Sequence, residues 1–133
     1  MIMFLIERRN TLSTTEIVEK NTSLDDRLKR KNKFEVEYPE FVPVFVKHYD
    51  SDVIHRNILH RDIPFTKFLY LIRSKKQIPS TVGLMSLVEV QKEDNSISYI
   101  QVQSSMTIGE LGSKYLHEDG FLYLNITIEN IFG

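Results

Sequence analysis

A chain of 133 residues has room for one domain around one core and not for two. Its 41% hydrophobic and 26% charged residues exclude a disordered chain, and a net charge of −1, from 17 basic against 18 acidic residues, excludes a general attraction to nucleic acid or to an anionic membrane. With no cysteine there is no disulfide, thiolate nucleophile or cysteine-ligated zinc, which fits a reducing, cytoplasmic setting.

The apolar run Met1-Ile2-Met3-Phe4-Leu5-Ile6 meets Glu7-Arg8-Arg9 too soon to be a signal peptide or a membrane span. Residues 1–12 carry no period and are expected to form a loosely docked extension. Ser13 and Glu16 have capping-box spacing and open a short helix over roughly residues 14–20. Asn21-Thr22-Ser23 breaks it. Ser23 with Asp26 starts a second helix that ends before Pro39, with Leu24, Leu28, Phe34 and Val36 as its apolar positions. Its cationic run, Arg27, Lys29, Arg30, Lys31 and Lys33, reads first as a solvated face and second as a docking face for acidic partners or anionic headgroups. The expected organisation is an extension over 1–23 and a domain over 24–133.

Phe41-Val42-Pro43-Val44-Phe45-Val46 is too continuously apolar for a helix of that length and reads as a strand. Val53–Ile63 is a weaker second strand, so a hairpin turns near Tyr49-Asp50-Ser51-Asp52. Pro64 suits a helix first turn, followed by Phe65, Phe68, Leu69, Leu71 and Ile72 on an amphipathic helix; Arg73, Lys75 and Lys76 favour its negative end. Leu84–Val90 and Ile97–Val102 flank a polar hairpin tip. Thr107–Leu116 is a short helix weakened by Gly109 and Gly112. Phe121–Ile128 alternates Phe, Tyr, Asn, Thr with Leu, Leu, Ile, Ile, a period-2 strand. After the first two helices the order is ββαββαβ, simplest as an α+β sheet with helices on one face and the last strand paired centrally. The sequence then runs to Phe132-Gly133, where an unhindered glycine carboxylate on an extended tail suits a reactive chain end.

Enzyme chemistry is not suggested. His48, His55, His60 and His117 lack metal-ligand spacing and read as solvent-exposed. No Gly-x-Ser-x-Gly, His-Glu-x-x-His or glycine-rich phosphate loop occurs, and Glu118-Asp119 reads as a turn pair rather than a catalytic dyad. No catalytic residue, metal or cofactor is expected.

Four pieces together resemble one family. Two helices lead to Glu37-Tyr38-Pro39 and then Val42-Pro43-Val44-Phe45-Val46; Phe68-Leu69-Tyr70-Leu71-Ile72-Arg73 matches a central helix; Glu118-Asp119-Gly120-Phe121-Leu122-Tyr123 is the most specific stretch; and Phe132-Gly133 follows it. Over about residues 24–133 the chain resembles the autophagy-related protein eight family, ubiquitin-like modifiers that include the GABA-receptor-associated proteins. The resemblance implies a ubiquitin-like β-grasp fold and a protein that is itself a substrate. The carboxylate of Gly133, next to Phe132, is activated with ATP by an activating enzyme, carried as a thioester on partner cysteines and joined to the amine of phosphatidylethanolamine. A cysteine protease trims precursors and reverses conjugation, and the two-chain lipid holds an otherwise cytoplasmic domain on the autophagosome membrane.

It also implies capture of receptor peptides with an aromatic and an aliphatic residue three apart, added as a strand to the edge of the second strand. Phe34, Pro43, Phe45, Ile58 and Phe121 would line the first pocket, with Arg56 at its rim; Leu59, Ile63, Phe68 and Leu71 would form the second. Arg56 and Lys75 would pair with acidic residues flanking the motif. The chain departs from the family where Phe41, Ile54 and Asn57 replace an usual Arg, Lys and aromatic, in a shorter loop between the first strands, and in an inserted hairpin at 91–100. Two rival readings stand beside it: a protein-conjugated modifier resembling autophagy-related protein twelve, and a non-conjugated ubiquitin-like interaction domain.

Overall fold

The computed structural model describes residues 12–49, 51–103 and 105–128. The expected extension before residue 12, Asp50 at the first hairpin turn, and the Phe132-Gly133 end lie outside the described residues.

Helix α1, Thr14–Asn21, starts on the capping box read from the sequence: Glu16 N donates to Ser13 Oγ, and Ser13 N to the Glu16 carboxylate. Helix α2, Leu24–Glu37, follows at once, capped by Ser23 accepting from Asp26 N. Strands β1 (Phe41–His48) and β2 (Ile54–His60) form a hairpin, and α3 (Phe65–Lys76) begins after Pro64. Gln77, in the left-handed region at φ 55°, ends α3. The hairpin β3 (Leu84–Gln91) and β4 (Ile97–Gln101) leads to α4 (Ile108–Tyr115) and β5 (Leu122–Ile128). The ββαββαβ order after two helices is therefore as expected.

The sheet order is β2-β1-β5-β3-β4, with β1 and β5 parallel and all other neighbours antiparallel. The last strand lies in the middle of the sheet, and its alternation has a physical cause. Leu122, Leu124 and Ile126 pack with Val42, Val44 and Val46 against Phe65, Phe68 and Ile72 of α3 and Ile108 and Leu111 of α4. Phe121 and Tyr123 point the other way, onto Phe45, Val18 and Phe34 beneath α1 and α2. Helices thus cover both faces, not one as the sequence suggested. Val18 of α1 and Phe34 of α2 supply the apolar contacts on the second face.

α2 also presents a different side from the one expected. Arg27 is its buried residue, while Leu24 is exposed and Val36 is 82% exposed. Arg27, Lys31 and Phe34 follow helical spacing toward the sheet; Val36, nine residues past Arg27, lies half a turn away at about 100° per residue. Arg27 leaves the solvated cationic face because Asp119 waits for it: Arg27 Nε lies 2.8 Å from Asp119 Oδ2, both side chains nearly inaccessible. Asp119 is a turn residue as expected, its Oδ1 accepting from Phe121 N at 2.9 Å, and Tyr123 Oη donates to its other oxygen.

Two histidines contradict the exposed reading. His117 is 7% exposed, stacks on Tyr123 with ring centroids 4.0 Å apart, and donates from Nε2 to the Glu89 carbonyl at 2.6 Å. His48, 6% exposed, ends β1 on the α3 side. An imidazole packs as a flat ring when its polar edge finds a partner. The fully buried Glu89 holds α1 in place, its carboxylate accepting from Thr14 N, Thr15 N and Thr15 Oγ1 at 2.9, 2.7 and 2.7 Å.

Candidate receptor-docking edge

β2 is an edge strand: β1 pairs with one side of it, and no strand among the described residues pairs with the other. A free edge presents unpaired backbone donors and acceptors to any extended chain that reaches it. Successive side chains of β2 alternate, so Arg56 and Ile58 lie toward α2 while His55 and Leu59 lie toward α3. A cavity opens on each side.

The cavity on the α2 side holds about 520 Å³. Phe34, Tyr38 and Phe121 make it aromatic, with Pro43 and Ile58 completing the apolar wall. Phe34 meets Tyr38 at a 6.0 Å ring separation and Phe121 edge-on at 6.3 Å, so the rings are braced against one another. Arg30, Lys33 and Arg56 surround the opening against a single acid, Glu37. The cavity on the α3 side holds about 660 Å³ and is mainly aliphatic: Val46, Leu59, Leu71 and Ile72, with Phe68. Lys75 and His55 sit among its lining residues. Ile58 and Leu71, 42% and 47% exposed, are apolar side chains left open where the two cavities meet solvent.

Most of the residues named from the sequence come together here. Phe34, Pro43, Arg56, Ile58 and Phe121 line the first cavity; Leu59, Phe68, Leu71 and Lys75 line the second. Two stand elsewhere. Phe45 lies behind the first cavity, its ring stacked on Phe121 at 4.6 Å, and it lines a neighbouring hollow under α1. Ile63 lies beyond the end of β2, half-buried against the main core, where its carbonyl accepts from Ile108 N. Tyr38, Arg30 and Lys33 were missed as lining residues. For Arg30 and Tyr38 the four-residue spacing from Phe34 was the available signal, one a turn before it in α2 and the other capping the helix a turn after it; Lys33, next to Phe34, carried no such signal. Among the described residues no group of His, Asp or Glu could hold a metal ion, and no helix is long and apolar enough to cross a membrane.

A β-grasp sheet preceded by two helices, with apolar cavities on both sides of a free second strand, has a counterpart among known proteins. The family model described as Autophagy protein Atg8 ubiquitin like matches residues 26–133. The chain belongs to this family. It is 25% identical over 116 residues to Autophagy-related protein 8h of Arabidopsis thaliana, covering 84% of this chain and 90% of that protein. It is 26% identical over 102 residues to human Microtubule-associated protein 1 light chain 3 gamma, covering 72% of this chain and 64% of that protein. Its fold matches the crystal structure of Trypanosoma brucei ATG8 with a TM-score of 0.63 at 22% identity, over 86% of this chain and 95% of that one. As an Atg8-family member the chain is a ubiquitin-like autophagy modifier. The family match begins inside α2, yet α1 is tied to the matched region through Glu89 and Leu124, whose carbonyl accepts from Thr14 Oγ1 at 2.7 Å.

Proposed function

We propose that this protein is joined through Gly133 to phosphatidylethanolamine and, on the autophagosome membrane, recruits receptors bearing an aromatic-x-x-aliphatic motif. The observation that carries the receptor half is the pair of cavities on opposite sides of a free edge strand. Side chains an odd number of residues apart on a strand point to opposite faces. A peptide added to β2 therefore sends an aromatic at one position toward Phe34, Tyr38 and Phe121, and an aliphatic three residues on toward Leu59, Leu71 and Ile72. Arg30, Lys33 and Arg56 suit acidic residues flanking the aromatic, and Lys75 does the same beside the second cavity.

Family membership and the Phe132-Gly133 sequence support the conjugation half. A carboxylate is a poor electrophile, so an activating enzyme with ATP and carrier cysteines supply the chemistry, and a cysteine protease reverses it. Two acyl chains then hold the domain stably on a bilayer. Incubation with those enzymes, ATP and phosphatidylethanolamine liposomes is expected to yield a lipid-linked, liposome-bound species, and Gly133→Ala to abolish it. Liposome binding that survives Gly133→Ala contradicts conjugation. For the receptor half, a fluorescent motif peptide is expected to bind, with Ile58→Asp removing binding; affinity indifferent to Ile58→Asp contradicts docking at β2.

A further inference from the structure

The sheet has a second open edge. β4 ends it opposite β2, and no strand among the described residues pairs with its outer side. It belongs to the hairpin at 91–100, where the chain departs from the family pattern. Sheet edges are ordinarily protected by charge, proline or a bulge. β2 carries His55, Arg56 and His60, whereas Ile97-Ser98-Tyr99-Ile100-Gln101 has no charged residue and no proline, and it pairs with β3 residue for residue without a bulge. Tyr99 and Ile100, on opposite faces of the strand, are 48% and 39% exposed.

The hydrogen-bond pattern decides which backbone groups of β4 point outward. Lys92 N donates to the Ser96 carbonyl at 2.9 Å, and Val102 N to the Ser86 carbonyl at 2.9 Å. Bonded pairs alternate along an antiparallel ladder, so between these two they are Val90 with Ser98 and Val88 with Ile100. The N–H and C=O groups of Ile97, Tyr99 and Gln101 therefore face away from β3. These residues are spaced symmetrically about Tyr99. A second β4 laid antiparallel across a two-fold axis at Tyr99 meets them group for group: Tyr99 opposite Tyr99, and Ile97 opposite Gln101 on either side. Every outward donor of each copy then finds an outward carbonyl of the other. Charge does not oppose the pairing. Lys92, Glu93 and Asp94 lie at the hairpin tip, the same register carries them past β4 toward the uncharged residues 104–106, and a net charge of −1 gives two copies little mutual repulsion.

We infer that β4 is a homodimer edge, through which two copies of this chain pair antiparallel along Ile97–Gln101 and join their sheets. A contact of five residues a side is smaller than the about 1,200 Å² of a stable complex, so the dimer is transient, with a dissociation constant on the order of 100 μM. The two β2 edges stay open at the outer ends of the joined sheet. Where the docking reading above holds, a receptor carrying two motifs gains by engaging both. The pairing itself does not depend on that reading.

The chain has no cysteine, so single introduced ones report the register. In this pairing the two copies of residue 99 lie about 5.5 Å apart at Cα, within disulfide reach. The two copies of residue 101 lie four residues apart along the strands, about 13 Å, and out of reach. Under mild oxidation of the full chain, Tyr99→Cys is expected to form a covalent dimer and Gln101→Cys alone to form little. An equal mixture of Gln101→Cys and Ile97→Cys is expected to cross-link one to the other. In sedimentation velocity the wild type is expected to move from monomer toward dimer between about 10 μM and about 1 mM. Tyr99→Lys, which sets two like charges face to face, is expected to stay monomeric. A wild type that stays monomeric at the upper concentration overturns the inference. Equal cross-linking by Tyr99→Cys and Gln101→Cys overturns it too, as does a dimer that Tyr99→Lys leaves intact. Nuclear Overhauser contacts from residues 1–12 to β4 within a monomer would give this edge to the chain's own start, which also overturns it. No receptor peptide enters these measurements, so docking at β2 stands or falls separately.

Discussion

Replacing Arg27 by Met is expected to be among the most costly changes in this protein, although Arg27 sits in a run of otherwise solvated cations. The methionine keeps the packing of the arginine stem and removes the charge. In the native protein Asp119 faces Arg27 Nε at 2.8 Å, with the two side chains 6% and 2% exposed. Arg27 also donates to the Thr22 carbonyl at 2.7 Å, holding the α1–α2 junction. Without Arg27 the buried carboxylate keeps Phe121 N–H and the Tyr123 hydroxyl as donors but has lost its counter-charge. Breaking a buried pair by removing one partner costs about 3–5 kcal/mol. The two surviving donors place this case near the lower end, about 3 kcal/mol. For a chain of this size that is a fall in melting temperature of about 10 °C. Thermal unfolding followed by circular dichroism reads it directly. Arg27→Met combined with Asp119→Asn is expected to cost less than the sum of the single changes, by more than about 1 kcal/mol. A single-variant shift under about 3 °C, or strict additivity in the double variant, refutes the idea that this pair is a desolvated, interdependent clasp.

Three further expectations concern the same scaffold. Glu89→Ala removes three hydrogen bonds from the first turn of α1 and is expected to cost about 2–3 kcal/mol; hydrogen exchange is to quicken in α1 more than in α2, and a uniform change contradicts Glu89 as the anchor of α1. Burial first, and then the bond to the Asp119 carboxylate, push the Tyr123 phenol well above its ordinary range. The hydroxyl's stabilisation is therefore complete below the unfolded value of about 10 and lost as pH rises past it, because the unfolded chain ionises first. The gap in urea midpoint between wild type and Tyr123→Phe is accordingly constant from about pH 7 to 9 and narrows above about pH 10; a gap that holds at pH 11 refutes this. Gly109→Ala would gain about 1 kcal/mol in helix propensity, but its Cβ would sit 2.9 Å from the Arg61 carbonyl oxygen and 3.0 Å from Arg61 Cβ. Overpacking against backbone is expected to win by about 1–2 kcal/mol in urea unfolding, and a more stable variant contradicts it.

The parts legible in the sequence were those where one physical requirement acts alone. Phe121–Ile128 was legible as a strand by its alternation, and its first four residues are large and apolar or aromatic because Leu122 and Leu124 pack under α3 and α4 while Phe121 and Tyr123 pack under α1 and α2. Ser13 with Glu16 fixed the start of α1 through local hydrogen bonds that need no tertiary partner. Less legible were features that depend on a residue far away in the chain. Nothing near Arg27 distinguishes it from Lys29 or Arg30; its partner lies at 119, and only the assembled fold brings them together. The burial of His117 likewise depends on the Glu89 carbonyl and the Tyr123 ring. Nine of the residues named for the docking edge line its two cavities because strand alternation and helix spacing are strong constraints. Phe45 and Ile63 do not, since one ring is screened by Phe121 and the other side chain lies past the end of β2.

The most direct measurement of receptor capture at β2 is a heteronuclear NMR titration of the ¹⁵N-labelled protein with an aromatic-x-x-aliphatic peptide. The largest shifts are expected on Ile54–His60 and on the lining of the two flanking cavities, with intermolecular contacts between the peptide backbone and β2. Shifts centred on β4, the opposite edge of the sheet, or on the α4 surface with β2 unchanged, would contradict it.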